Sequence, residues 1–432
     1  MGVGRAMLGG MTALEDRAAV RRLLDRFGFG PRRGDLDRGF AETLDRLLAP
    51  AAPVAAPDLP APERPAGNQE AKKRANAARA DQEERFAGWW LDRMVAEPTA
   101  TERLTWFWHG HFATSEQKVR SPRAMLAQNR TFRAHALGSF TDLAGALVVD
   151  PAMLLWLDGN DNTAAAPNEN LAREFMELFA LGIGHYSEGD VREAAKALTG
   201  WRATREQDAA RFTDKRHDRS AVTLFGRTGP LDAPGFVAAV LAHPESAGFV
   251  VGRLWFRLVS SSPPPADVLD RLTAAYGPGR DVAATLRAIA AEPAFRDSAT
   301  TLVKQPVEWL VGLLRAVDVR PSALPDKTRK RVRIGLAGMG QVPLRPPSVG
   351  GWPAAAAWLT TSAGAARLTL ARAVVAGADL TAVGGDPVED ARVLLGVDSW
   401  SDRTRSALEQ VRGDPKQLVA IAACAPEYVV SG

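Results

Sequence analysis

Helix boundaries are the plainest feature of this sequence, and they restrict it to a mainly α-helical fold. Ser121-Pro122 and Asp150-Pro151 each place a capping side chain before a proline at the first helical position, where no backbone N–H is needed. Thr99 and Glu102 have the spacing of a capping box ahead of Leu104, Phe107, Trp108 and His111. Asn168 can cap a helix ending at Gly182 or Gly184, and Ser187 with Asp190 can cap the next, whose apolar stripe is Val191, Ala194, Ala195 and Leu198. Ala19, Leu23, Leu24 and Phe27 recur at helical spacing before Phe27-Gly28-Phe29-Gly30-Pro31 stops the run. Residues 201–235 break the pattern, with Val222–Phe225 reading as a short strand. The expected architecture is a large multi-helix body with one irregular or short β-hairpin insertion.

A chain of 432 residues exceeds what one core usually organises. The Ala/Pro-rich stretch 50–67 and the run Ser260–Pro265 are the natural breaks. They divide the chain into N-terminal helices with a linker (1–68), a central helical domain with the insertion (69–259) and a C-terminal helical domain (266–432). Helices are expected near 69–86, 235–258, 266–276, 280–292, 306–318, 325–338, 363–377, 387–396 and 403–411, interrupted by a loop at 342–353.

Charge excludes more than it suggests. Lysines and arginines number 54 against 50 acids, a net +4, with the signs interspersed, so no nucleic-acid partner is expected. No apolar run is long enough to span a bilayer. The N-terminus lacks a continuous apolar segment, which points to the cytoplasm, with export expected only if the true start differs. Cys424 is the single cysteine, which excludes an internal disulfide and a thiolate cluster. Its apolar helix end reads as an inert, buried thiol. GxGxxG, Walker and GxSxG patterns do not occur.

Residues 105–201 hold four of the six histidines. Imidazoles and carboxylates among aromatic rings are the raw material of a metal or acid/base site. At about 100° per residue, Glu169, Asn170, Arg173, Glu174 and Glu177 share one side of the Asn168 helix. That side is either a solvated face with an Arg173–Glu177 pair or a pocket wall whose Glu174 and Glu177 share a cation. In a continuous helix His109 points about 200° away from His111, and the two cannot chelate one ion. If Gly110 ends the helix, an extended His-Gly-His turns both rings to the same side. The alternative is two packed histidines with satisfied nitrogens. His217-Asp218 lies in a polar loop, as either a surface turn or an oriented imidazole. His135 reads as packing and His243, before Pro244, as a helix terminus. Most tryptophans read as core, while Trp108 and Trp201 could wall a pocket. The segment Pro346–Trp352 reads as a chain reversal, or as a cover carrying Trp352 with Gln341 as a polar contact.

These pieces together resemble one bacterial family, the domain of unknown function 1800. The resemblance rests on Leu23–Pro31, Phe107-Trp108-His109-Gly110-His111-Phe112, Asp150–Leu154, Pro167–Glu174, Glu177-Leu178-Phe179 and Ala197-Leu198-Thr199-Gly200-Trp201. It continues in His217-Asp218, Gly226 and the Gly340–Trp352 segment. The family's name carries no activity. Its members often look exported, from which this N-terminus departs, and His185 stands where the pattern leads one to expect asparagine, which removes it from the candidate site.

Three functions are compatible with these residues. The first is a metal-dependent enzyme, most simply a hydrolase. Its divalent Zn, Mn or Fe would be held by His109, His111, Glu174 and Glu177. Glu174, His217 and Asp218 would serve acid/base roles, Arg173 would hold an anionic group, and Trp108 and Trp201 would wall the pocket. The second is a redox protein with non-haem iron or haem, although Cys-x-x-Cys-His is absent. The third is a non-catalytic helical scaffold that binds a protein partner.

Overall fold

The computed structural model describes residues 14–61 and 67–432. Among the described residues it contains 22 helices and three two-stranded antiparallel sheets, and 58% of it is helical. Prolines and caps act where the sequence places them. Ser121 accepts from the Ala124 N–H and Asp150 from the Met153 N–H, each with proline next in the chain. Ser187 and Asp190 form a reciprocal capping box on helix Glu188–Ala197. The helix expected at 69–86 runs on to Ala96, because Phe86, Trp90, Leu91, Met94 and Val95 give its second half a buried stripe.

Two expected helix starts differ. The Thr99/Glu102 capping box does not form on helix Thr101–His111, which has no side-chain cap. Glu102 is instead fully buried, accepting from Trp90 Nε1 at 2.9 Å and from the Arg133 guanidinium. The helix expected from Asn168 begins at Asn170. It passes at Phe175 into a wider π-helical winding through Ala180, closed by the Leu181 N–H donating to Met176 O at 2.8 Å.

The irregular stretch contains two hairpins, Trp201–Arg202 with Arg211–Phe212 and Val222–Leu224 with Arg227–Gly229. Phe225 and Gly226 turn the second one, both at positive φ (50° and 74°), as a two-residue hairpin loop demands. The third pair, Leu302–Val303 with Val430–Ser431, joins segments far apart in sequence and has no local turn signal to announce it.

Two hydrophobic cores organise these helices. One gathers residues from Val20 to Leu47 and from Ala100 to Phe295; the other gathers Phe29, Leu59, Phe86–Val95, Trp106, Val119–Leu126 and Val307–Val429. Each core draws on all three of the stretches delimited by the proline-rich breaks. Helix Thr101–His111 stands between them. Leu104, Phe107 and Trp108 belong to the first core and Trp106 to the second.

The opening motif ties the chain's two ends together. Arg26 is buried, and its fork donates to Ser431 Oγ (2.9 Å), Ser431 O (2.7 Å) and Val259 O (2.6 Å). Arg22 reaches Phe295 O and Asp297 O. Asp25 pairs with Lys304 at 2.9 Å. No single described helix is long and apolar enough to cross a membrane; helices Ala233–Leu241 and Pro244–Leu258 are apolar but meet at 81°.

Candidate functional site

Because helix Thr101–His111 continues through Gly110, its histidines take opposite sides. His109 is 2% exposed and turns to the second core, with ring centroids 5.3 Å from both Trp90 and Trp352. Its Nε2 has no protein partner. His111 is 4% exposed and turns to the first core among Phe107, Phe112 and Phe179. His111 Nε2 lies 2.9 Å from Phe179 O, so this nitrogen carries the proton and donates. Burial pushes both imidazoles down to about 3, since a charged ring would lose its hydration with no anion in exchange. They are neutral throughout the physiological range.

The acidic side chains lie elsewhere. Glu174 and Glu177 are half-buried neighbours on the π-wound helix. Burial first, and then the Glu177 charge, raises the Glu174 carboxyl above its ordinary value. Tyr186 donates its hydroxyl to Glu177 Oε2. Arg173 pairs with Glu188 at 2.7 Å and with Glu169 at 3.0 Å, not with Glu177. The sequence's paired carboxylates are thus brought together with each other but not with the histidines. Among the described residues no three His, Cys, Asp or Glu side chains are grouped for a metal ion.

His217 and Asp218 serve a turn. His217 Nδ1 sits 3.1 Å from both Thr199 Oγ1 and Thr199 O, and the Asp218 N–H donates to Thr199 Oγ1 at 2.7 Å. Gly200, at φ +92°, leaves room for the His217 Cβ, which would stand 3.1 Å from a Cβ on that glycine. The backbone and side chain of Ser220 hold the Asp218 carboxylate below its usual range. Trp201 packs on Phe212 at 5.4 Å in the neighbouring hairpin. Trp108 is a core residue, buried completely, with Nε1 donating to Ala136 O at 3.0 Å. Cys424 is partly buried, and burial raises its thiol to about 11, as suits an inert residue. His243 caps helix Pro244–Leu258.

A different cleft opens where the two cores meet. Its lining includes Arg103, Trp106, Gly110, Arg257, Gln305 and Trp352. Trp352 is carried there by the loop at 342–353 and stacks on Trp106, centroids 4.9 Å apart and planes inclined 23°. Gln341 is fully buried, but it braces a helix start rather than a ligand. It accepts from the Val307 N–H at 2.9 Å and donates to Gln305 Oε1 at 2.6 Å. Sequence reasoning points to Trp352 as a cover but misses Arg103, Arg257 and Gln305. Those three come from distant helices and share no local pattern.

No curated protein and no solved structure matches the chain. The family model described as "Protein of unknown function (DUF1800)" matches residues 22–430, a span that runs from the arginine-bearing opening helix to the strand it holds; the chain belongs to this family.

Proposed function

We propose that this chain is a helical binding protein built around the helix shared by its two cores, rather than a hydrolase using a cation held by His109, His111, Glu174 and Glu177. The observation that supports this reading is the opposed orientation of the two imidazoles. Each is enclosed by aromatic rings in a different core, and the carboxylates meant to complete the set sit on another helix. Ligation by two residues needs both on one side, and a continuous helix denies that. Elemental analysis of the purified chain beside His109→Ala and Glu174→Ala tests the reading. Unchanged, substoichiometric metal in all three is the expected result. Stoichiometric Zn, Mn or Fe that is lost in both variants would overturn it.

One observation favours a second reading. Glu174 ends helix Asn170–Glu174 and Glu177 lies one turn on, inside the π-helical segment Phe175–Ala180, a winding frequent at functional sites. A cation-dependent hydrolase centred on this pair predicts metal loss in Glu174→Ala but not in His109→Ala. The cytoplasm is the proposed location, tested by cell fractionation.

A further inference from the structure

The cleft between the cores contains donors that meet no acceptor. Arg103 is 1% exposed, and its Nη2 pairs with Glu308 Oε1 at 2.8 Å. Its Nε and Nη1 are buried without a partner, and so is Trp352 Nε1. Buried polar groups in folded proteins are nearly always satisfied, because a desolvated donor has lost its water for nothing. Guanidinium and indole nitrogens cannot accept, so whatever completes this cleft must bring lone pairs.

The charge balance narrows the choice further. Arg103 and Arg257 both line the cleft, and Glu308 is the carboxylate set against them. Arg253 adds a third cation next to Arg257. Burial, with Arg253 and Arg103 acting in the same direction, brings Arg257 down to about 10, where it is still charged at neutral pH. Arg257 is fixed by donating to Trp352 O at 2.8 Å and Pro353 O at 3.1 Å, so its charge is held in place rather than free to swing into solvent. The cleft is narrow and partly open to solvent, so it admits only a compact group at the edge of the stacked Trp106 and Trp352 indoles.

Taking binding as the work of this chain, we propose that the cleft between Arg103 and Arg257 binds a compact oxyanion, a carboxylate or a phosphate group, beneath Trp352. A planar guanidinium presents parallel N–H donors that match the oxygens of either group. Glu308 holds one side of the Arg103 fork and leaves the other for the ligand.

The test uses the full chain after chelator treatment, titrated with acetate, inorganic phosphate and neutral acetamide at constant chloride. Tryptophan fluorescence and calorimetry provide the readouts. Saturable binding of acetate or phosphate, with none of acetamide, is expected, and the better of the two anions names the group. Arg257→Gln should weaken that binding at least tenfold, and Arg257→Lys less. Gln305→Glu, which adds a carboxylate to the lining, should also weaken it, and it carries the test if Arg257→Gln does not fold. Absence of saturation by either anion up to ~10 mM, an equal response to acetamide, or unchanged affinity in the folded variants would overturn the proposal. Metal content, measured separately, decides the binding-protein reading and leaves this result untouched.

Discussion

The backbone of Gly351 rests on the carbonyl oxygen of Gly110, so closely that a methyl group at position 351 would overlap that oxygen. Gly351 also has φ +82°, a conformation that L side chains rarely adopt. Gly351→Ala should therefore destabilise the fold by about 1–3 kcal/mol and shift the Trp352 indole off Trp106. Urea denaturation and tryptophan emission measure both effects. Wild-type stability with wild-type emission would mean that the loop does not press on the helix.

The buried histidines make stability fall in acid. Folded His109 and His111 titrate at about 3, whereas the unfolded rings titrate near ~6.5. The unfolded state thus binds more protons between these values. The stabilisation is complete above the unfolded value and declines as pH falls from there towards 3. Each ring contributes at most about 1.4 kcal/mol per pH unit. Unfolding free energy measured from neutrality to pH 4.5 should show a shallower decline in His109→Phe than in the wild type. Parallel profiles would refute a neutral, buried His109.

Two carboxyl groups act in the opposite direction. Burial, reinforced by Glu83, raises Glu116 to about 8, and burial raises Asp150 to about 7. The folded state therefore holds protons that the unfolded state has released. This contribution is present below the unfolded values and is lost as pH rises through the folded ones, here up to about 8. Relative to the wild type, Glu116→Gln should gain stability as pH is raised from 5 to 8.5, by no more than about 1.4 kcal/mol per pH unit. A constant difference between the two proteins across that range would count against the shift.

Arg26 donates to the buried carbonyls of Val259 and Ser431. Arg26→Met should cost about 3–5 kcal/mol, the usual effect of removing one partner from a buried charged network. Arg26→Lys should not restore it, because an ammonium lacks the fork. Thermal unfolding of both variants is the measurement, and near-wild-type melting of Arg26→Lys would show that charge alone suffices.

Local chemistry was legible in this sequence and long-range assembly was not. Caps at Ser121, Asp150 and Ser187 act within three residues of themselves, so their effect can be read in order along the chain. Thr99 with Glu102 has the same apparent signal as Ser187 with Asp190, but Glu102 is claimed by Trp90 and Arg133, a competition that only packing reveals. His109 and His111 illustrate the limit for the site. Their identities suggested ligands, yet the outcome turned on whether Gly110 ended the helix. It does not: the helix runs on to His111, and Gly110 receives the close approach of Trp352 and Gly351 from far along the chain. Arg103 and Arg257 lie far apart in the sequence, and nothing in their neighbours announces that they meet.

Helix Thr101–His111 has no fully exposed residue: ten of its eleven positions are buried and Gly110 is intermediate. An ordinary surface helix can drift freely on its outer side; this one reaches solvent only at Gly110. Every substitution along it is judged by two interiors at once. Neither half of the molecule can finish its own packing before this segment docks, so the two should melt as one cooperative unit and not in succession.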